Sequence, residues 1–222
     1  MPDRRPGRAQ GLRVREVTRE RLLATAADVF FANGYGATSV DAVAAAAGFT
    51  TGAIYSNFGG KADLFIAVLE GVAERELAAM RDALDSAASD EQVLAALTSS
   101  IATDQGHWRA RVAATFEFVA ASRNQPDLQH RIDAAQRRVD ETLGEALLAV
   151  NRALGLPPPA DLPALSRAVN ALMGGFAVRA LFSDDVDLAT DISHGVTALL
   201  TGAAAIANDG NHVNEDHANA AH

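Results

Sequence analysis

Residues 48–61 read GFTTGAIYSNFGGK, and they hold two threonines, a tyrosine, a serine, an asparagine and the only lysine of the chain. Every other basic residue apart from the histidines is arginine. Hydroxyl, phenol, amide and ammonium groups all donate hydrogen bonds to an anion. Grouped at one end of a short helix, they suit the phosphates and base edges of nucleic acid.

The spacing supports that chemistry. Thr50 and Thr51 stand where a helix starts, and free backbone N–H groups and the positive dipole end favour phosphate there. Gly52 lets a duplex come close to the backbone. Tyr55 follows Thr51 by four residues and shares its outward face. Ser56 and Asn57 offer further donors, and Lys61 opens the next helix. Ala53, Ile54 and Phe58 form the opposite, inward face. Singly, each polar group has a plainer reading: Thr50 as a cap, Tyr55 as an amphipathic core aromatic, Lys61 as a solvated cation. Their grouping favours an anion-facing surface.

The surrounding elements must hold this helix in place. Thr18 is a candidate N-cap, and Leu22, Leu23, Ala26, Ala27, Val29 and Phe30 then recur at helical spacing. Asn33-Gly34 ends that helix. Thr38 caps a second one, with Asp41 three residues on in a weaker capping box. Val40, Val43, Ala44 and Ala47 form its inner face, and Gly48 ends it. Two short helices joined by a glycine turn are the sequence form of a helix-turn-helix. Gly59-Gly60 closes the third helix. Leu64, Phe65, Val68, Leu69 and Val72 stripe a long fourth one.

Longer helices are expected near 61–85, 90–104, 107–123, 126–154, 161–182 and 187–208. The breaks between them are caps, prolines and the run GLPPPAD at 155–161. Alanine and leucine dominate, and β-branched residues seldom alternate with polar ones. The fold class is all-α, with about nine helices. The expected organisation is a disordered basic arm at 1–15, a three-helix DNA-binding domain at 16–62, a larger helical domain at 63–208 and a flexible tail at 209–222.

Charge divides the chain along the same line. The formal net charge is −9, yet residues 1–62 carry eight basic and five acidic side chains, or +3. The remainder carries eleven and twenty-three, or −12. Such asymmetry suits a basic end that meets an anion and an acidic body that stays soluble. Arg13 and Arg15 are candidate arm contacts to phosphate or the minor groove.

Other classes lose support. There is no cysteine, hence no disulfide and no thiolate metal site. No nucleophile elbow, zinc-protease motif, P-loop or dinucleotide fingerprint occurs, so an enzyme is not expected. His212, His217 and His222 have no compact metal spacing, and neither a metal nor a cofactor is expected. The start lacks an apolar signal region, and the longest apolar stretch, at 195–207, is too short to span a bilayer. A soluble cytoplasmic protein is the expectation.

The run VTRERLLATAADVFFANGYGATSVDAVAAAAGFTTGAIYSNFGGKADLF at 17–65 resembles the N-terminal domain of TetR-type (TetR/AcrR-like) transcriptional regulators. The resemblance rests on Gly-Tyr after the first helix, Ala-Gly before the turn, and Gly-x-x-Tyr-x-x-Phe-x-x-Lys at Gly52, Tyr55, Phe58 and Lys61. It implies that Thr38 caps the second helix and contacts phosphate. It places Thr50, Thr51 and Gly52 at base edges and backbone, and Tyr55, Asn57 and Lys61 at phosphates. Asn57 departs from the histidine or aromatic of many relatives, and Gly60 from their usual capping residue.

The resemblance further implies that the C-terminal domain dimerises and binds a small molecule. Gly174, Gly175, Gly195, Ala198 and Gly202 are small residues within apolar helices, and they would weaken those helices unless something packs closely on them. A dimer interface provides that; packing within one subunit is the other reading. Candidate ligand contacts are Trp108 and Phe116 on an aromatic face, and Glu117, Asn170 and Arg179 as polar groups in apolar surroundings. The expected function is a homodimeric repressor of a double-stranded DNA operator, released by a small-molecule effector. The alternatives are an activating or ligand-independent regulator of the same fold, or a helical sensor with a vestigial DNA-binding head.

Overall fold

Runs of alanine and leucine, broken by glycine, proline and capping residues, fold into helices at the expected places. The computed structural model describes the backbone of residues 7–96, 105–183 and 187–219. It describes the side chains of residues 19–93, 95–96, 106–183 and 187–206. Among the described residues there are nine helices and no strand. They are α1 (Gly7–Ala37), α2 (Val40–Ala47), α3 (Thr51–Phe58), α4 (Lys61–Asp85) and α5 (Asp90–Ala96). They continue with α6 (Gln105–Ser122), α7 (Pro126–Ala153), α8 (Leu162–Phe182) and α9 (Leu188–Asn219). The second part of the helix expected at 90–104 lies outside the described residues, as do Asp184 and Asp185 of the expected break.

Both chain ends differ from expectation. The backbone of residues 7–15, drawn from sequence as an arm, belongs to α1. No proline lies between Pro6 and the end of α1, and Arg, Gln and Leu are good helix formers, so the register of α1 extends backwards. Likewise α9 runs to Asn219, past the tail expected from 209. Extension adds one backbone bond per residue to a helix already nucleated.

The chain forms two compact units. The first holds the described residues up to Val72 together with Ala113–His130. The second holds Ala73–Val112 and the described residues from Arg131 onward. The first therefore exceeds the 16–62 stretch drawn from sequence. The cause is aromatic packing. Phe30, Tyr35, Phe65 and Phe118 form a cluster, with ring centroids 4.9 Å apart for Phe30–Phe65 and Tyr35–Phe118 and 5.0 Å for Phe65–Phe118. Edge-to-face aromatic pairs add to the stabilisation from burial. The same unit also buries Leu22, Leu23, Ala26, Ala27, Phe31, Val43, Ala44, Ile54, Leu64 and Val68.

In the second unit α8 packs on α9. The core joins Trp108, Leu147, Val150, Leu165, Val169, Ala177, Ala180, Leu188, Ile192, Val196 and Leu200. Asp161 caps α8, its carboxylate accepting the Ala164 N–H at 2.8 Å. Buried Asn151 donates to the Pro157 carbonyl at 2.8 Å and pins the turn between α7 and α8.

Candidate nucleic-acid interface

The first helix ends by geometry. Gly34 takes φ 81° and ψ 161°, which breaks helical continuity within α1. Side chains other than glycine seldom adopt a positive φ of this kind. Thr38 follows and is buried, with 4% of its surface exposed. Its hydroxyl donates to the Gly34 carbonyl at 2.8 Å. The expected cap at Thr38 is therefore corrected. Ser39 is the N-cap of α2, accepting the Ala42 N–H at 3.1 Å. Both residue types cap helices, so sequence alone does not separate the two registers. The buried methyl and hydroxyl of Thr38 instead close the end of α1.

Gly48 turns the chain with φ 73°, and its N–H reaches the carbonyls of Ala44 and Ala45. Thr50 caps α3, its hydroxyl accepting the Ala53 N–H at 3.2 Å. Thr51 donates to the Asp41 carboxylate at 2.6 Å, tying the first residue of α3 to the first turn of α2. Ile54 is fully buried, while Ala53 and Phe58 are half-buried, so they anchor the helix as expected. The Arg19 guanidinium lies 5.5 Å from the centroid of the Phe58 ring.

The opposite face is open. Tyr55 is 53% exposed. Gly52 is exposed, and a Cβ built there would meet nothing within 4 Å. Thr50, Ser56 and Asn57 are exposed and Thr51 is half-exposed. The Ser56 hydroxyl and the Asn57 amide both donate to the Ala53 carbonyl, at 3.0 and 2.6 Å. Asn57 keeps a second N–H, and Ser56 keeps its lone pairs, for other partners. Lys61 is half-buried. Its ammonium donates to the Gly36 carbonyl at 3.1 Å and lies 4.3 Å from the centroid of the Tyr35 ring. Burial lowers its pKa below the ordinary lysine value, while the Glu117 carboxylate acts in the opposite direction. The side chains of Arg13 and Arg15 lie outside the described residues.

The five expected ligand contacts divide between the units, Phe116 and Glu117 in the first and Trp108, Asn170 and Arg179 in the second. Trp108 is buried in the core of the second unit. Phe116 is 49% exposed, and the buried aromatic two residues on is Phe118. Past residue 112 α6 belongs to the first unit and buries Ala114, Phe118 and Ser122 instead of continuing the Trp108 face. Glu117 accepts the Gly36 N–H at 2.8 Å, and Arg179 is exposed. Asn170 lines a cavity of about 130 Å³ within the second unit. Ala73, Leu77, Met80, Leu143, Met173 and Val196 supply much of its apolar wall, and Glu76 is its one charged side chain among the described residues. Arg111 pairs with Glu76, and Asn170 donates to Asp140 at 2.6 Å. The sequence signal for Glu76 was its place in the helical stripe Ala73, Glu76, Leu77 and Met80.

The small residues separate into two groups. A Cβ on Gly195 would lie 2.6 Å from Leu172 Cδ2, so Gly195 serves packing within the subunit. Gly174, Gly175 and Gly202 have nothing within 4 Å of such a Cβ, and Ala198 is exposed. Ala164, Ala168, Ala198, Gly202 and Ile206 line an apolar groove of about 400 Å³ between α8 and α9.

A three-helix head with a capped, outward-facing third helix, joined to an α-helical unit with an apolar cavity, defines a class of regulatory protein. The model for bacterial regulatory proteins of the tetR family matches residues 22–68. The model for the C-terminal part of BetI-type transcriptional repressors matches residues 89–203, more than half of the chain. The chain belongs to the tetR family of transcriptional regulators.

The HTH-type transcriptional activator FasR of Mycolicibacterium smegmatis is 31% identical over 120 residues, which are 53% of this chain and 48% of FasR. The chain thus matches about half the length of that curated relative. Solved structures share the fold. A TetR-family regulator from Rhodococcus sp. gives a TM-score of 0.64 at 20% identity, covering 82% of this chain and 96% of its own. FadR from Bacillus subtilis, solved with stearoyl-CoA, gives 0.59 at 18% identity, covering 82% of this chain and 97% of its own.

Proposed function

We propose that the chain is a homodimeric, cytoplasmic repressor that binds an operator through α3 and leaves it when a small molecule enters the cavity of the second unit. The observation that carries the DNA-binding reading is the division of α3 into two faces. Ile54 is buried on one side, and Thr50, Gly52, Tyr55, Ser56 and Asn57 are exposed on the other. In this reading Thr51 and Gly52 meet base edges, and Tyr55, Asn57 and Lys61 meet phosphates. Arg13 and Arg15 add backbone contacts from the start of α1.

Dimerisation is supported by the open face of Gly174, Gly175, Ala198 and Gly202 and by the apolar groove beside it. Small residues allow helices of two subunits to approach closely. Exposed Leu181, Phe182 and Ile206 lie on the same two helices and would gain from cover.

The cavity supports a compact, mostly apolar effector with a hydrogen-bonding group facing Glu76 or Asn170. A void of about 150 Å³ lined by aliphatic and aromatic side chains takes up benzene. A chain as long as that in the FadR complex would need the surrounding helices to part. Release also requires that the effector favour the conformation that does not fit DNA, since equal binding to both conformations shifts nothing. α4 is one continuous helix from Lys61 through the cavity residues Ala73, Glu76, Leu77 and Met80, so it offers a covalent route between effector and phosphate contact.

A second reading, an activator, is favoured by the likeness to FasR. One experiment serves both. Fragments of genomic DNA bound by the protein are selected, and candidate ligands are then titrated against the complex with the recovered site. Loss of DNA on ligand addition supports the repressor. Tighter binding supports the activator, and no selected site at all rejects both.

A further inference from the structure

Gly36, in the last residues of α1 beyond the break at Gly34, is gripped from two sides. Its N–H donates to Glu117 Oε2 at 2.8 Å, and its carbonyl accepts from Lys61 Nζ at 3.1 Å. The Glu117 carboxylate lies against Gly34 and Gly36. A Cβ on Gly34 would lie 2.7 and 2.8 Å from its two oxygens, and one on Gly36 would lie 3.4 Å from Oε2. The neighbouring Phe118 is buried in the aromatic cluster, so Glu117 is carried on a fixed stretch of α6. It lies within the same unit as α3 and Lys61.

We propose that Glu117 is a positioning residue that restrains Lys61 and thereby holds the affinity for duplex DNA below what the recognition surface alone would give. The inference rests on the DNA-binding reading above. The Lys61 ammonium is engaged by the Gly36 carbonyl and the Tyr35 ring, and the Glu117 charge acts on it in the direction that keeps its proton. A DNA phosphate competes with that arrangement for a single ammonium. The same carboxylate keeps the backbone before α2 in shape, so its role has two separable parts: a hydrogen-bond acceptor for Gly36 and a charge that holds Lys61.

Glu117→Gln separates them, because glutamine keeps the acceptor and the size but not the charge. The test measures binding of a labelled mixed-sequence DNA duplex by fluorescence anisotropy at low salt. The variant is expected to bind about two- to fivefold more tightly than the unaltered protein, the range for one exposed charge interaction. The gain should shrink as salt rises. It should be absent when the same change is made in Lys61→Ala, and absent in Glu117→Asp, which keeps the charge. A merely structural role predicts weaker binding for Glu117→Gln and no dependence on Lys61. Unchanged or weaker binding of Glu117→Gln overturns the inference, as does a gain that persists in Lys61→Ala or appears in Glu117→Asp. If the unaltered protein binds no duplex, the failure belongs to the DNA-binding reading itself.

Discussion

The Thr51 hydroxyl donates a 2.6 Å hydrogen bond to the Asp41 carboxylate, and so the first residue of the recognition helix is fixed to the helix before it. The link engages the hydroxyl, and a threonine methyl group can make apolar contact with a thymine methyl. Both residues are solvated enough that the bond contributes only about 0.5–1.5 kcal/mol. Thr51→Ala is therefore expected to fold normally. Sites selected by the variant from random DNA should differ in sequence from those selected by the unaltered protein, at similar salt dependence. An identical preferred sequence would remove Thr51 from base readout.

Much of this head was legible in the sequence, because it is local. Glycines at 48 and 59, a threonine cap at 50 and apolar residues at helical spacing fix α2 and α3 within about eight residues each. The error at Thr38 arose where two adjacent capping residues compete, and burial decides for Ser39 as the cap. Glu117 and Phe118 were not legible in their actual roles. They come from α6, eighty residues away in sequence, and no local pattern announces that Phe118 completes a cluster with Phe30, Tyr35 and Phe65. The cavity was missed for the same reason, since α4, α5, α7, α8 and α9 build it together.

Lys61 gives a pH prediction. Burial lowers its pKa, so the neutral form becomes accessible nearer to neutral pH than for a free lysine. In the folded protein without DNA, the destabilising effect of burying the charge is full below that lowered pKa. It is relieved as pH rises through it. DNA phosphate favours the charged form, so affinity should fall as pH rises through the same range. Lys61→Arg stays charged and should flatten that fall. Anisotropy titrations from neutral to alkaline pH check this, and parallel profiles for the two proteins would contradict it.

Phe118 is nearly fully buried among aromatic rings. Phe118→Ala should destabilise the first unit by about 3–5 kcal/mol through lost burial and a cavity. Thermal melting followed by circular dichroism measures the change. A shift as small as that of a surface substitution would show that the ring is not part of the head's core.

Gly202 and Gly195 should respond differently to substitution. Gly202→Glu places a charge on the open small-residue face and is expected to yield folded monomers with weakened DNA binding. Gly195→Val forces a Cβ against Leu172, 2.6 Å from Cδ2, and is expected to lower the melting temperature. Sedimentation velocity and thermal melting distinguish the two outcomes. Intact dimers of Gly202→Glu would place the subunit contact elsewhere.

The central claim, that the exposed side of α3 and Lys61 meet the phosphates and bases of a duplex, is tested most directly by salt. The affinity of the protein for its selected DNA site is measured at several salt concentrations and plotted as log affinity against log salt. The account predicts a steep negative slope, about 0.9 for each phosphate neutralised, reduced by about one in Lys61→Ala. A flat line, or a slope that Lys61→Ala leaves unchanged, would contradict it.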